Sequence, residues 1–403
     1  MITGAADDDP SGIATYSQAG ASTGFSLLWT VVLTWPMMVA VQSVSARIGR
    51  VTGHGLAANM LGVFPRWVVS GLVLLLFVAN TINIGADLSA MGAAARLVIG
   101  GNQRVYTLLF AAVTLLGVVL VPYHRYVGVL KWLTFSLFAY VGVVFTVHID
   151  WHAVVLGAFL PRFDLTGDSA TLVVAMFGTT ISPYLFFWQS SQEVEEEEAD
   201  PQAAPLLEKP RQAPRELQRI SWETWVGMAM SNIVGFFIIL TTAATLHAHG
   251  HTDIQTSEQA AAALKPIAGN GAFALFSLGI VGTGLLAVPI LAGSVAYAVG
   301  ELGDWPIGLE RRLRQARVFY GVIAASIVLG TAVDLSPLDP IRMLVWSAVV
   351  NGVITVPILI AVMIVASRPE QMGKFVATAS QRLFGWITTA MMGAAAIAMF
   401  VLM

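Results

Sequence analysis

Ala6-Asp7-Asp8-Asp9-Pro10-Ser11-Gly12 is a polar stretch inside the first hydrophobic segment of the chain, and Gly178-Thr179-Thr180-Ile181-Ser182-Pro183 lies in the same way inside the sixth. Proline removes a backbone donor and glycine admits unusual dihedral angles, so each stretch predicts a broken helix. The two breaks lie a little under half of the 403 residues apart. In a bilayer, backbone groups released from a helix are tolerated only inside the protein or at a wet cavity. The paired breaks therefore predict a polar site buried between two halves of the chain.

The composition indicates a membrane protein. The chain is 56% hydrophobic and only 11% charged, and its mean hydropathy is +0.75, whereas a soluble domain carries about 25% charged residues. The net charge of −3 gives no reason to expect a nucleic-acid partner, and the lack of cysteine excludes disulfides and thiolate metal sites. We expect no cleavable signal peptide.

Eleven apolar stretches are long enough to span a bilayer as helices. They are predicted at 1–20, 23–46, 67–95, 104–122, 127–148, 169–190, 222–247, 270–300, 317–333, 340–366 and 384–402. We therefore expect an all-α integral membrane protein with two inverted repeats of five helices, at 1–150 and 165–366, and an additional eleventh helix at 384–402. Helices 1 and 6 are the broken ones. Because Met1 lies almost on the first break, we expect a full-length homologue to carry residues ahead of it.

The basic residues predict the orientation of the chain in the membrane. Cytoplasmic loops of membrane proteins carry an excess of Lys and Arg. With a cytoplasmic N-terminus, 16 of the 21 Lys and Arg residues fall on the cytoplasmic side and five on the other. This orientation runs helices 1 and 6 in opposite directions, as inverted repeats require. We expect a multi-pass protein of the cell (plasma or inner) membrane.

Broken helices at corresponding places in two halves indicate the substrate site of an inverted-repeat transporter. A carboxylate at bilayer depth is a functional candidate because burying it is costly. Asp9, beside the proline, is the main candidate, whereas Asp7 and Asp8 face either the site or an aqueous mouth. The second break adds backbone carbonyls and the polar candidates Gly178, Thr179, Thr180 and Ser182. Carboxylate, hydroxyl and carbonyl oxygens suit a hard cation such as Mg2+ or Ca2+, and capping of the helix backbone is the alternative role for the hydroxyls.

Two further polar segments lie in predicted loops. The cytoplasmic loop 191–221 contains the acidic residues Glu193, Glu195, Glu196, Glu197, Glu198 and Asp200. We expect a solvated, mobile linker there, because runs of like charge repel each other; a vestibule that attracts cations is the alternative. The alternating residues His247, His249 and His251 are expected to form a solvated loop rather than a transition-metal site.

Several motifs resemble those of the Nramp divalent-metal transporters. Asp9-Pro10-Ser11-Gly12 resembles their Asp-Pro-Gly-Asn motif in helix 1, and Gly178-Thr179-Thr180-Ile181-Ser182-Pro183-Tyr184 resembles their Ala/Met-Pro-His motif in helix 6. Ala86-Asp87-Leu88-Ser89-Ala90 resembles the Ala-Asp-Leu-x-Glu signature of helix 3, and Ser231-Asn232 fits helix 7. The resemblance extends over essentially the whole chain. It implies the LeuT-type fold.

At several positions the chain differs from these motifs, and with these differences it resembles one branch of the family, the Nramp-related magnesium transporters. Gly12 stands where the family has a metal-binding asparagine, and Ser182 stands where it has a methionine thioether. Tyr184 replaces the neighbouring histidine, and Ala90 replaces the helix-3 acid, so that Asp87 alone remains of the acidic pair. This resemblance implies uptake of Mg2+, and also of Mn2+, by alternating access and without obligatory proton coupling.

The donor chemistry and the resemblance together predict the metal site. Its expected members are Asp9, Gly12, Gly178, Thr179 and Ser182, with Asp8, Thr180, Tyr184 and Asn351 as additional candidates. Mg2+ usually keeps several waters, and glycine and serine give a roomy, oxygen-lined pocket for a partly hydrated ion. Asp87 is the candidate remnant of a proton pathway, and an interhelical hydrogen bond is the alternative role of Asn351. The metal ion is the expected substrate, and no cofactor is expected.

Other functions stay open at this point. A proton-coupled Mn2+/Fe2+ carrier of the parent family is the principal alternative. An amino-acid carrier would need a free half-helix N-terminus for a carboxylate, which three aspartates oppose. An intramembrane metalloenzyme would need histidine at depth, and the seven histidines lie at predicted helix ends or in loops. A passive channel also fits. The expected partners are the metal ion and the bilayer; the sequence leaves the oligomeric state open, and a monomer is compatible with it.

Overall fold

The computed structural model describes residues 8–121, 128, 130, 132–161, 166–334 and 339–403, and contains no strand within these ranges. Its helices are α1 (Pro10–Thr23), α2 (Leu28–Thr52), α3 (Leu56–Leu61), α4 (Arg66–Ile99), α5 (Gln103–Leu120), α6 (Phe138–Val144), α7 (Trp151–Phe159), α8 (Gly167–Thr180), α9 (Pro183–Ala199), α10 (Ala213–Thr245), α11 (Ser257–Ala262), α12 (Lys265–Ala268), α13 (Ala272–Gly303), α14 (Arg317–Val333), α15 (Pro340–Ser367), α16 (Pro369–Met372) and α17 (Ala379–Leu402). Short 3-10 turns lie at Leu133–Leu137, Pro210–Gln212, His247–His249, Gly269–Gly271 and Gly373–Phe375.

The predicted all-α membrane fold is confirmed. Within the described ranges, eight helices are long and apolar enough to cross a membrane, with α8 and α9 together forming one of them. The helix α14 has the predicted bounds 317–333, and α15 ends one residue beyond the predicted 340–366. The count of eleven spans stays a prediction, since residues 1–7 and parts of the predicted fifth span, 127–148, lie outside the described residues.

The outer helices present apolar faces to the surroundings. On α5 the exposed large apolar residues are Val105, Leu108, Leu109, Val113, Leu116 and Leu120, which recur at helical spacing. Such a face would be a liability in water and is ordinary against lipid, where apolar side chains need no cover. The surface of the helix bundle is therefore that of a bilayer protein.

Small residues bring α8 and α15 into close contact. A Cβ atom built on Gly178 would collide with the carbonyl oxygen of Ala348, and one on Gly352 would approach the carbonyl oxygen of Val174 to 2.5 Å. Small residues at such crossings allow backbones to approach closely in membrane helices. The second break is therefore held directly against α15.

The acidic run is ordered and packed, so the expectation of a solvated linker over 191–221 is wrong. The helix α9 continues through the run to Ala199, and α10 begins at Ala213. Glu193 forms an ion pair of 2.6 Å with Arg219, and Glu197 forms one of 2.8 Å with Arg50. The Tyr297 hydroxyl donates to Glu195 over 2.5 Å. These partners offset the repulsion between like charges and allow helix α9 to extend.

Candidate metal site

Asp9 caps the N-terminus of α1. Its Oδ1 accepts hydrogen bonds from the Gly12 amide nitrogen at 2.7 Å and from the Ser11 hydroxyl at 2.8 Å. Its Oδ2 accepts a third from the side-chain amide of Asn83, on α4, at 3.0 Å. The residue is 1% exposed. A capping carboxylate satisfies free N–H groups of the first turn and is stabilised by the positive end of the helix, so a negative charge is buried where α1 begins.

The second predicted break is present in the structure. The helix α8 ends at Thr180 and α9 begins at Pro183. The Ser182 hydroxyl lies 2.8 Å from the carbonyl oxygen of Gly178 and 3.0 Å from that of Thr179. One hydroxyl proton serves both acceptors, so the serine oxygen and the two carbonyl oxygens keep lone pairs for a ligand. Ser182 thus makes the backbone contact of the capping alternative without losing its capacity to bind a cation or a water.

The start of α1 and the second break meet at a single place in the protein. The Ser11 and Thr179 hydroxyl oxygens are 3.4 Å apart. A Cβ atom built on Gly12 would lie 3.2 Å from Oγ1 of Thr179 and 3.5 Å from Oδ1 of Asp9. A longer side chain at position 12 would therefore point between the carboxylate and the hydroxyl. The structure brings Asp9, Gly12 and Thr179 together; that they bind a metal ion stays a prediction.

Tyr16 and Thr180 lie on one side of this place. The Thr180 hydroxyl donates to the carbonyl oxygen of Met176 at 2.8 Å, so the Tyr16 hydroxyl is the donor in the 2.9 Å contact between the two side chains. The Tyr16 ring passes within 3.5 Å of the Cβ position at Gly12 and within 2.9 Å of that at Gly235. Thr180, an additional candidate ligand, is therefore engaged with the tyrosine that borders the site.

The other additional candidates differ in the contacts that they make. Asp8 accepts a hydrogen bond from Ser231 of α10 at 2.9 Å, and Tyr184 is buried in the first turn of α9. Asn351 is buried in α15, and neither atom of its amide has a hydrogen-bond partner among the described residues. Thr355, one turn further along, contacts the carbonyl oxygen of Ile181 at 3.2 Å. A buried amide normally has a partner, so Asn351 has free capacity for a ligand; its place in the ligand shell stays a prediction.

Asp87 is buried in α4 and stands apart from these contacts. Neither of its carboxylate oxygens has a hydrogen-bond partner among the described residues. It lies four positions after Asn83, so both side chains are on one face of the helix. Its role as the remnant of a proton pathway stays a prediction.

Two residues of the site were not predicted from the sequence. Asn83 contacts Asp9, and Ser347 of α15 donates to Asn83 Oδ1 at 2.7 Å. A signal for Asn83 was present, because Asn80, Asn83 and Asp87 recur at positions i, i+3 and i+7 of an otherwise apolar helix. Polar residues repeated along one face of a membrane helix mark an interior path or contact.

The described contacts at the start of α1 join the carboxylate of Asp9 to several neutral polar groups. Within the described ranges, no group of three or more His, Cys, Asp or Glu residues is placed to hold a metal ion. His247 and His249 contact backbone carbonyl oxygens, of Ala21 at 2.8 Å and of Thr245 at 2.6 Å. Carboxylate and neutral oxygen donors are of the type that hard cations prefer.

A helical membrane protein in which a broken helix and a helix N-terminus meet at a buried carboxylate resembles a secondary transporter in architecture. The family described as "Natural resistance-associated macrophage protein-like", or Nramp, matches residues 1–402. The chain therefore belongs to the Nramp family, whose members are metal-ion transporters and not enzymes. The family that the motifs resemble is thus confirmed.

Individual relatives agree with this family. The divalent metal cation transporter MntH of Klebsiella pneumoniae (strain 342) is 27% identical over 394 residues, which cover 95% of this chain and 88% of that protein. A crystal structure of the manganese transporter of Eremococcus coleocola superposes with a TM-score of 0.74 at 14% identity, covering 98% of this chain and 84% of that one. Mhp1, a nucleobase-cation-symport-1 family transporter, gives 0.58 at 15% identity, covering 100% and 91%. The structural likenesses confirm the LeuT-type fold.

Proposed function

We propose that the protein carries divalent metal cations across the cell membrane, with Mg2+ as its main substrate and Mn2+ as a second one. The ion crosses in a partly hydrated form by alternating access, without obligatory proton coupling. The relatives named above as divalent metal cation and manganese transporters support the general class. The excess of Lys and Arg on one side supports a cytoplasmic N-terminus.

The observation that carries the proposal is the donor set around Asp9. The buried carboxylate faces the hydroxyl of Thr179 across the Cβ position of Gly12, and sulfur and imidazole are absent from the described contacts there. Mg2+ prefers oxygen donors and gives up its waters reluctantly, while thioether and imidazole ligands favour transition metals. The space at Gly12 leaves room for water on the ion.

The proposed ligands act directly or through bound water. Asp9 supplies the charge, and the carbonyl oxygens of Gly178 and Thr179 lie at the C-terminal end of α8, where helix carbonyls are directed towards cations. The hydroxyls of Thr179 and Ser182 then contact the ion or its waters, and the buried amide of Asn351 completes the shell.

The membrane potential suffices to drive accumulation. A divalent cation that crosses an inside-negative potential gains about 4.6 kcal/mol per 100 mV, which corresponds to a concentration ratio of more than about a thousandfold. No proton gradient is required on energetic grounds. Uniport is therefore the simplest mechanism that the proposed site supports.

A proton-coupled Mn2+/Fe2+ carrier is the second candidate. It is favoured by the names of the relatives and by the buried carboxylate of Asp87, which makes no hydrogen bond within the described ranges. It is opposed by Ser182 and Tyr184, which provide neither a soft ligand nor an imidazole.

The test is Mg2+ influx into proteoliposomes at an imposed inside-negative potential, with a pH reporter inside and Asp9→Ala as the control. Saturable uptake that Asp9→Ala abolishes, without internal acidification, is the expected result. Mn2+ uptake with acidification and no Mg2+ uptake would establish the proton-coupled carrier instead. Flux that does not saturate would indicate a channel.

A further inference from the structure

Asn83 lies against Asp9 from a helix that contains neither break. Its amide nitrogen donates to Oδ2 of Asp9 at 3.0 Å, and its amide oxygen accepts from the Ser347 hydroxyl at 2.7 Å. Both atoms of the amide are therefore engaged, in contrast to the amide of Asn351. The contact gives a donor to Oδ2 of Asp9, whereas Oδ1 already accepts from Gly12 and Ser11, and a buried carboxylate oxygen without a partner is costly.

The surroundings of Asn83 accept its amide in two orientations. The Ser347 oxygen lies 2.7 Å from Oδ1 of Asn83 and also 2.7 Å from the carbonyl oxygen of Leu344. A hydroxyl has one proton, so it donates to only one of these acceptors at a time. If the amide rotates by 180° about the Cβ–Cγ bond of Asn83, its nitrogen donates to the Ser347 oxygen, and the Ser347 hydroxyl donates to the carbonyl oxygen of Leu344. The partners on α15 then remain satisfied, while Oδ2 of Asp9 loses its amide donor and needs a cation or a water in its place.

The second orientation places an oxygen atom next to Asp9. The distance of 3.0 Å between Oδ2 and the amide atom of Asn83 matches the edge of an octahedron around Mg2+, which is about 2.9 Å for ligands at about 2.0–2.1 Å. Two oxygens at this separation can bind one Mg2+, or one Mg2+ and one of its waters, without movement of the backbone. The hydrogen bond between the Asn83 amide and Asp9 is thereby replaced by two oxygen ligands, one from each residue, at the same separation.

We propose that Asn83 is a specificity-determining residue of the metal site, whose amide turns over when the cation binds to Asp9. The inference rests on the proposed function. Without a cation the amide nitrogen neutralises part of the carboxylate's burial cost, and with a cation the amide oxygen contacts the ion or its water. A neutral hard oxygen favours Mg2+ over softer ions and adds no charge that would slow release.

The test compares two replacements of Asn83 that differ in what they keep. Asn83→Leu has a similar shape and removes both donor and acceptor, while Asn83→Asp keeps an oxygen and removes the donor. The matched control is Asn80→Ala, because Asn80 is an amide on the same face that contacts the Leu291 carbonyl oxygen and Ser294 rather than Asp9. The apparent KM and the maximal rate of Mg2+ and Mn2+ uptake are measured in proteoliposomes at pH 8, with thermal unfolding as the check on folding.

We expect Asn83→Leu to raise the apparent KM for Mg2+ by about tenfold or more, as the loss of a metal-site partner does, and to raise that for Mn2+ by less. Asn83→Asp should stay within a few-fold of the wild-type KM, and Asn80→Ala should not change it. A KM for Asn83→Asp as high as that of Asn83→Leu would overturn the proposal, since the amide would then act only as a donor. Wild-type values for Asn83→Leu would overturn it as well.

The uptake measurements distinguish a failure of the proposed role of Asn83 from a failure of the proposed function. If the wild type takes up Mg2+, Asp9→Ala does not, and the Asn83 variants behave as the wild type, only the role of Asn83 is disproved. If the folded wild type takes up no Mg2+, the proposed substrate is wrong, and the role of Asn83 falls with it.

Discussion

The hydroxyls of Tyr16 and Thr180 lie 2.9 Å apart and join α1 to α8 one helical turn beyond Gly12. Further along both helices, a cavity of about 860 Å3 is lined by Gln18 and Ser22 of α1 and by Asp168 of α8. The contact therefore stands between this cavity and Asp9. We therefore expect it to close the proposed metal site on that side.

Removal of the tyrosine hydroxyl should weaken this closure. Loss of one hydrogen bond costs about 1 kcal/mol, so Tyr16→Phe should raise the fraction of molecules in which the site is open to the cavity about fivefold. Because the chain contains no cysteine, the rate of thiol labelling of Thr179→Cys measures access to the site without background. Ser22→Cys, in the cavity, is the control and should react at the same rate with and without Tyr16→Phe. Equal rates for Thr179→Cys in both backgrounds would mean that the contact does not close the site.

The charge of Asp9 and its capping role can be separated by two variants. Asp9→Asn keeps a capping side chain and removes the charge, whereas Asp9→Ala removes both. Loss of the cap costs about 1 kcal/mol, so Asp9→Ala should unfold at a lower temperature than Asp9→Asn. Both should lose Mg2+ uptake in the proteoliposome assay. Substantial uptake by Asp9→Asn would contradict the role of the carboxylate as the principal charge of the site.

The space at Gly12 should decide how much water the ion retains. In Gly12→Ala, the new Cβ atom would lie 3.2 Å from Oγ1 of Thr179, so the hydroxyl has to shift by a few tenths of an ångström. We expect a several-fold loss in Mg2+ uptake at unchanged thermal stability, and a smaller loss for Mn2+, because Mg2+ gives up water more reluctantly. Gly71, which has open space around its Cβ position, provides the control Gly71→Ala. An equal loss for both ions would argue against a hydrated substrate.

Asp87→Asn tests proton coupling. The carboxylate is buried and lacks a hydrogen-bond partner among the described residues, so a neutral amide of the same shape should be tolerated. Uniport predicts that Mg2+ uptake by Asp87→Asn stays near the wild-type rate, with no change in internal pH for either protein. A large loss of uptake, together with acidification by the wild type, would favour the coupled mechanism.

The packed acidic run predicts a structural role for Arg219. Its guanidinium contacts the carboxylates of Glu193, Glu196, Glu216 and Glu223 at 2.6–3.1 Å, and Glu193 has only 3% side-chain exposure. Arg219→Gln removes the positive charge that these carboxylates contact and should lower the free energy of unfolding by about 2 kcal/mol. This is below the range for fully buried pairs because Arg219 is partly exposed. The control is Arg311→Gln, because the ion pair of Arg311 with Glu198 is exposed and should contribute little. Equal unfolding temperatures for the two variants would show that the run is not held by Arg219.

The sequence determined the features that depend on local chemistry. Long apolar runs predicted the membrane helices, and the break before Pro183 was predicted because proline and its neighbours disrupt a helix wherever they lie. The position of Asp9 at the start of a half-helix follows from the proline beside it. These properties arise from the backbone and from nearest neighbours, which the sequence lists in order.

Only the tertiary structure decided which polar groups meet. Asn83 is 74 positions from Asp9, and Glu197 is 147 positions from Arg50, so no local pattern connects them. The sequence alone predicts a solvated acidic run, because it does not show that Arg50 and Arg219 lie beside it. A buried polar group is stabilised only by a partner at hydrogen-bonding distance, and the packing of distant helices determines that partner.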